Sequence, residues 1–243
     1  MRRPETFEAR LVAAKNLTPW VRELVFERAD GPLLYDPGQW VNLVLPLREG
    51  EVKRAYSIAS APDGSPRFEL AVTRVQDGPG SSFLHELAEG TTLHTIGPHG
   101  LFTRAPDDPT PALFVATGTG VTPLRAMLQA ALAAGSTAPM WLLFGARNEE
   151  DILYREELEG WARRHPNVRY AITLSRPADG WTGGRGYVQS HVPALYRDLV
   201  AASGTAAPQV YVCGLERMVK SVRELVRGEL GVDRKHVHTE RYD

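Results

Sequence analysis

The chain changes its hydrophobic rhythm once, near residue 103. Before that point apolar and polar residues alternate in short runs. "TFEARLVAAKNL" sets Phe7, Ala9 and Leu11 against polar neighbours, and "WVRELVFER", "WVNLVLPL", "VKRAYSIAS", "RFELAVTRV" and "TTLHTIGPHG" follow. Turn residues separate the runs: Asp30-Gly31-Pro32, Asp36-Pro37-Gly38, Arg48-Glu49-Gly50 and Asp63-Gly64. Short period-two runs at this spacing predict an antiparallel Greek-key β-barrel. One helix is predicted among them, over "SSFLHELAEG", with Ser81 or Ser82 as its N-cap and Gly90 as its stop.

The segment "TRAPDDPTP" (103–111), with three prolines and two aspartates, reads as a linker. Beyond it the runs become continuously apolar and alternate with helical patterns. "ALFVAT", "MWLLFGA", "VRYAITLS", "QVYVCG" and "HVHTE" predict strands; helices are predicted over about 123–134, 151–164, 187–200 and 216–229. Strands without a polar face, separated by helices, predict a doubly wound, parallel, five-stranded α/β sheet covered on both sides. The expected division is a barrel domain over 1–103 and an α/β domain over 110–243.

Composition narrows the function. The chain is 43% hydrophobic and 23% charged, with net charge −1. No bulk basic field is present to recruit nucleic acid or an anionic membrane. No apolar stretch approaches the ~20 residues of a membrane span. "MRRPETFEARL" lacks the apolar run of a secretory signal, so the expected location is the cytoplasm. Cys213 is the single cysteine, which excludes an internal disulfide, a multi-cysteine zinc site and a built-in four-cysteine iron–sulfur cluster. The seven histidines show no metal spacing; His94, His99, His236 and His238 read as surface residues, with room for one of them in a cleft. "EEDILYREELEGWARR" reads as an amphipathic helix with Ile152, Leu153 and Leu158 inward.

The first candidate chemistry lies in "FVATGTGVTPLRAML" (114–128). An apolar strand ends in Gly118-Thr119-Gly120, and Leu124, Met127, Leu128, Ala131 and Leu132 mark one face of the following helix. Thr122 is the expected N-cap and Pro123 the first helical residue. A helix N-terminus behind a glycine turn offers free amides and a partial positive charge to an anion such as a pyrophosphate. Pro123 replaces the third glycine of the dinucleotide fingerprint, and the second strand ends in "FGARNEE", where Arg147 comes before any acid. An ordinary NAD site places an acid there for the ribose hydroxyl. A plain strand-to-helix turn would leave the same pattern.

Two more stretches carry a resemblance. "RAYSIAS" (54–60) matches the flavin motif RxYS of the ferredoxin-NADP reductase superfamily, and "GPGSSFL" (78–84) matches that family's GxxSxxL segment. The order barrel, RxYS, GxxSxxL, linker, GTGVTP and a late Cys-Gly resembles the family from about Phe7 to Tyr242. The resemblance implies FAD on the barrel and NADP(H) on the α/β domain, meeting in the cleft between them. Arg54 would pair with the FAD pyrophosphate, Ala55 and Tyr56 would line the flavin, and Ser57 would sit near flavin N5. Ala71, Val72 and Thr73 would supply backbone contacts, and Gly80, Ser81 and Ser82 would hold the pyrophosphate from its other side. On the nicotinamide domain, Gly118, Thr119, Gly120, Val121 and Thr122 would form the dinucleotide turn. Cys213 and Gly214 would lie beside the nicotinamide. The ending "TERYD" is similar to the family's Glu-x-aromatic end, with Glu240 near the nicotinamide and Tyr242 stacked on the flavin; Asp243 is one residue more than the plant-type pattern. Ser57, Cys213, Glu240 and Tyr242 are thus the implied catalytic group.

Ser175-Arg176, then Arg185 and Tyr187, resemble the NADP-using plant-type members. Cations and hydroxyls suit a 2′-phosphate, Tyr187 can stack on adenine, and Arg147 adds one more cation. The alternative for Arg176 and Arg185 is that they merely solvate loops. The implied activity is hydride transfer between nicotinamide C4 and flavin N5, with electrons exchanged singly with ferredoxin or flavodoxin. A monomer is expected. Two rivals stay open: an NADH-dependent reductase component of an oxygenase or haem-protein system, and a flavin-binding electron-transfer subunit without activity of its own.

Overall fold

The computed structural model describes residues 3–205 and 207–242. Six antiparallel strands occupy the first hundred residues: β1 (Glu5–Thr18), β2 (Val21–Arg28), β3 (Trp40–Leu47), β4 (Gly50–Ser57), β5 (Arg67–Thr73) and β6 (Thr92–His99). Their order is β4-β3-β6-β1-β2-β5. The sheet curls so that one bridge, Ile58 to Leu70, joins the end of β4 to β5. The alternation expected in β1 is real: Phe7, Ala9 and Leu11 are buried and their neighbours are not. They join Phe26, Phe68 and Leu70 in the barrel core, where Phe26 and Phe68 stack with centroids 5.8 Å apart. Each such ring contributes roughly 1.5–3 kcal/mol through burial.

The helix of the barrel, α1 (Pro79–Glu86), starts earlier than its pattern suggested. Gly78 is the N-cap and makes no side-chain cap; Pro79 takes the first position, where a missing N–H costs nothing. Neither Ser81 nor Ser82 is therefore the cap. The Ser81 hydroxyl accepts from Val75 N and donates to Gly78 O, both at 3.0 Å, and so closes the preceding loop. The helix stops at Glu86, short of Gly90.

The second sheet is parallel: β7 (Ala112–Thr117), β8 (Met140–Ala146), β9 (Val168–Leu174), β10 (Gly184–Arg185), β11 (Gln209–Leu215) and β12 (Val237–Tyr242). The five expected strands are present, and β10 adds a two-residue edge beside β9. The order is β10-β9-β8-β7-β11-β12. Helices α2 (Val121–Ala133), α3 (Arg155–Arg164), α4 (Val192–Ser203) and α5 (Glu216–Gly228) cover it. Phe114 and Ala116 face a layer containing Leu124 and Met127, while Leu113 and Val115 face a layer containing Val192 and Val222. Burial on both faces explains the unbroken apolar runs. The pattern over 187–200 resolves into a short turn at Val188–Ser190 followed by α4, and that over 151–164 begins as α3 only at Arg155.

The proline-rich segment is pinned. Arg104, almost wholly buried, donates to Asp108 Oδ2 and to the Asp108 and Thr110 carbonyls. One apolar layer also runs across the joint, with Val21, Ala71 and Phe102 packing into the cluster of α2 and β7.

Candidate functional site

The strand order reverses between β7 and β11, and the crevice at their carboxyl ends is where open α/β sheets take ligands. Gly118–Gly120 form a single 3-10 turn there, and α2 starts at Val121. Thr122 is accordingly not the N-cap. It lies in the first turn and donates its hydroxyl to Thr119 O at 2.8 Å. Pro123 is third in the helix, a position whose N–H has no intrahelical acceptor. The two glycines do different work. Gly118 has φ +53° and open space where a side chain would stand. At Gly120 a Cβ would overlap the Cys213 carbonyl. The close helix–strand packing that the fingerprint assigns to its third glycine is supplied here by Gly120, which leaves the place of Pro123 free of that demand. Thr117 Oγ1 at the end of β7 is buried and has no hydrogen-bond partner among the described residues. The Cys213-Gly214 segment of β11 lies against this turn. An unpaired hydroxyl and the α2 N-terminus suit an anionic nucleotide.

On the barrel, β4 carries Arg54, Ala55, Tyr56 and Ser57. Arg54 and Ala55 are exposed; Tyr56 is half-buried, and burial pushes its phenol up to about 12. Arg54 donates to Lys53 O at 3.0 Å and forms no ion pair with a described residue. Its stem crosses Gly80: a Cβ there would stand 3.4 Å from Arg54 Nε. A charged guanidinium is thus laid against the first turn of α1, where the Gly80 and Ser81 amides have no acceptor inside the helix. This donor set fits a pyrophosphate. The Ser81 hydroxyl is already committed to its own loop, so only its amide is free for that task. Ser82 is half-buried, and its amide donates to Gly78 O. Ala71 and Val72 are buried in β5 and Thr73 is exposed; His85 Nε2 donates to Val72 O at 2.9 Å.

Within the crevice, one hydrogen bond joins the flavin motif to β12. Ser57 Oγ donates to Glu240 Oε1 at 3.1 Å across 183 positions of sequence. Burial pushes the Glu240 carboxyl up to about 7, and the Ser57 hydroxyl partly offsets this. Glu240 pairs in register with Cys213, and Tyr242 with Leu215. Burial, with Glu240 beside it, drives the Cys213 thiol well above its usual range, so it stays protonated. Tyr242 packs on the apolar layer of α2, and its hydroxyl lies 3.4 Å from Thr122 Oγ1. Because Thr122 spends its proton on Thr119 O, the phenol is the donor of that pair. Ser57, Thr122, Cys213, Glu240 and Tyr242 therefore form one constellation. Asp243 lies outside the described residues.

A second corner lies at the ends of β8, β9 and β10. Ser175 N donates to Ala146 O and Arg176 N to Arg147 O, which draws the two loops together. Arg147 and Arg176 are exposed and carry no ion pair with a described residue. Tyr187 is 69% exposed. Arg185 differs: its Nη2 donates to Trp181 O at 2.9 Å, with Ala178 O and Asp179 O at 3.4 Å, so it braces its own loop.

Sequence reasoning missed three features. Arg125 of α2 is buried among two carboxylates, a carbonyl and the ring of Tyr154. The signal was an arginine inside an otherwise apolar helix pattern. His99 stacks on Trp40, which pairs with Ser57 across β3 and β4. Its Nε2 is buried without a partner among the described residues, so it is no surface residue, whereas His94 does lie at the surface beside Glu8. His238 stacks on Tyr211 in the sheet. Ile152, Leu153 and Leu158 point inward as expected. No cluster of metal-ligating side chains occurs among the described residues.

A flavin cradle on a barrel and a nucleotide crevice on a doubly wound sheet define an FAD-dependent NAD(P)H oxidoreductase. Residues 8–103 match the oxidoreductase FAD-binding domain family and residues 114–224 the oxidoreductase NAD-binding domain family. The chain is 69% identical over 240 residues to ferredoxin--NADP reductase B of Sorangium cellulosum, covering 98% of each. It belongs to the ferredoxin-NADP reductase superfamily. It is also 30% identical to the phenol hydroxylase P5 protein of Acinetobacter pittii, over 98% of this chain but 66% of that longer one. Among solved structures, cytochrome P450 reductase GcoB of Amycolatopsis aligns with a TM-score of 0.85 at 25% identity, covering 98% of this chain and 70% of that one. A mutant ferredoxin-NADP+ reductase of Plasmodium falciparum with 2'P-AMP shares the fold, with a TM-score of 0.81 at 23% identity over 98% and 96% of the two chains.

Proposed function

We propose that the protein moves electrons between NADP(H) and a separate one-electron carrier, ferredoxin or flavodoxin. The observation that carries this reading is the Ser57–Glu240 hydrogen bond, which puts the flavin motif and the nicotinamide strand at one point. Bound FAD supplies hydride exchange with nicotinamide and release of electrons one at a time. Arg54 and the first turn of α1 hold its pyrophosphate. Tyr56 packs along it, and Ala71, Val72 and Thr73 border it. Ser57 would offer its hydroxyl to the reacting edge of the bound flavin, and Glu240, whose carboxyl burial raises to about 7, would hold or release a proton through that hydroxyl. Gly118 through Thr122 seat the nucleotide pyrophosphate, and Cys213 and Gly214 border the nicotinamide. Arg147, Ser175 and Arg176 take the 2′-phosphate, and Tyr187 lies against adenine. Arg185 keeps that corner in shape and lends its charge.

The proposed domains are 1–103 and 110–243, and the protein works as a monomer in the cytoplasm. No described helix is long and apolar enough to cross a membrane. The similarity to the phenol hydroxylase P5 protein favours one second reading, an NADH-fed reductase component of an oxygenase. Anaerobic mixing with NADPH or NADH, followed by ferredoxin, flavodoxin or oxygenase components, separates the two. Rapid loss of flavin absorbance with NADPH and turnover with ferredoxin or flavodoxin is expected. A strong NADH preference overturns the 2′-phosphate assignment, and no bleaching with either nucleotide leaves an electron-transfer subunit without activity of its own.

A further inference from the structure

The nucleotide loop and the flavin strand sit on different sheets, so something must set their separation. Helix α2 reaches the barrel through one face. It begins at the nucleotide loop, and Arg125 lies one turn in, about 6 Å along the axis from Val121. Arg125 Nη1 donates to Ala59 O at 2.7 Å and to Glu69 Oε2 at 2.6 Å. Ala59 is two residues past Ser57, and Glu69 two before Ala71. The rest of the guanidinium grips the α/β side: Nε and Nη2 bond both oxygens of Glu157 at 2.5 and 2.9 Å, and the plane lies over Tyr154 at 4.4 Å. One turn further along the same face, Gln129 Oε1 accepts from Ala61 N at 2.8 Å. The segment 59–61, which continues directly from the RAYS strand, is thus held at two points by the helix that carries the nucleotide loop.

We infer that Arg125, with Gln129 beside it, is a positioning residue that fixes the distance and angle between the flavin seat and the nicotinamide seat. Its guanidinium bonds are all to protein groups. A planar fork can bond one carboxylate at two points while a further N–H reaches the barrel, which a lysine ammonium cannot do. Burial suits the task, because an ion pair with packed walls has one geometry where an exposed pair has many. The inference rests on the proposed hydride transfer between the two seats. Misplacement of reacting groups by about 1 Å can slow such a step by about a hundredfold.

The experiment uses full-length holoprotein and three variants, Arg125→Gln, Glu157→Gln and Gln129→Leu. The readouts are FAD affinity, NADPH dissociation constant, the rate of flavin reduction at saturating NADPH, and the long-wavelength charge-transfer absorbance of the nicotinamide–flavin pair. Arg125→Gln is expected to slow reduction by about tenfold to a hundredfold, and the other two by smaller factors. The charge-transfer absorbance should fall in step while both dissociation constants stay within about twofold of wild type. If Arg125→Gln does not fold, Glu157→Gln and Gln129→Leu decide the matter. Wild-type reduction rates and charge-transfer absorbance in those two overturn the inference. So does slowing that tracks loss of FAD or NADPH affinity. Wild-type protein that NADPH fails to reduce overturns the proposed function instead, a separate outcome.

Discussion

Arginine is used in opposite ways at the joint and at the nucleotide corner. At the joint, Arg125 is 6% exposed and bonds two carboxylates and a carbonyl. At the corner, Arg147 and Arg176 are exposed and pair with no described carboxylate. A buried guanidinium with four of its five N–H groups committed to protein acceptors has little left for a ligand; it fixes geometry. An exposed, unpaired one adds little to stability and keeps its donors for an anion. Arg185 stands between these cases, exposed yet spent in part on its own loop.

The largest expected effect tests the buried side of this contrast. Arg125→Met should destabilise the protein by about 3 kcal/mol, because Glu69 and Glu157 would be left partly buried and unpaired. Denaturant unfolding at neutral pH measures it, and a change near zero would mean that water already screens the clamp. The exposed side is tested by Arg176→Ala. A lost charge-assisted bond to a 2′-phosphate should cost about 1.5–3 kcal/mol, seen as a rise of roughly tenfold to a hundredfold in KM for NADPH. KM for NADH and the melting temperature should stay put; an equal loss for both nucleotides would remove Arg176 from phosphate recognition.

Glu240 offers an effect of intermediate size. Its carboxyl titrates near 7 in the folded protein against an ordinary 4.5. The native state therefore holds a proton that the unfolded chain releases between those values. Stability falls as pH rises from about 4.5 to about 7 and is flat above. The drop should be on the order of 2 kcal/mol after allowance for partial exposure. Glu240→Gln should abolish that slope, raise stability at pH 8 and flatten the pH dependence of flavin reduction near neutrality. An unaltered slope would assign it to another group. The smallest effect is expected from removal of Tyr242 and Asp243, which frees Thr122 of the phenol and opens the nicotinamide seat. The ratio of kcat/KM for NADPH to that for NADH should shift several-fold; an unchanged ratio would rule out a gating role for the ring.

Much of the architecture was legible because it follows from periodicity. Alternation gave the barrel strands, and unbroken apolar runs gave the parallel ones, since both of their faces are covered. The two-residue β10 has no period to read. Helix starts slipped where local chemistry competed: Ser81 serves its loop instead of a cap, and Thr122 bonds back to Thr119. The family resemblance grouped Ser57 with Cys213, Glu240 and Tyr242, but the direct Ser57–Glu240 hydrogen bond has no signature in a linear chain. Arg125 was hidden for the reverse reason. A single charged residue in an amphipathic helix reads as solvated until its partners are known.

By itself, then, the amino-acid order determined the two architectures, the turn residues and the types of side chain available for phosphates and protons, because these depend on short-range sterics and on which faces must leave water. Only the folded arrangement decided which of those side chains touch. The Ser57–Glu240 contact, the burial that lifts the Glu240 carboxyl and the grip of Arg125 all join residues far apart in the chain, and their energies depend on desolvation and distance, which exist only after the two sheets have packed together.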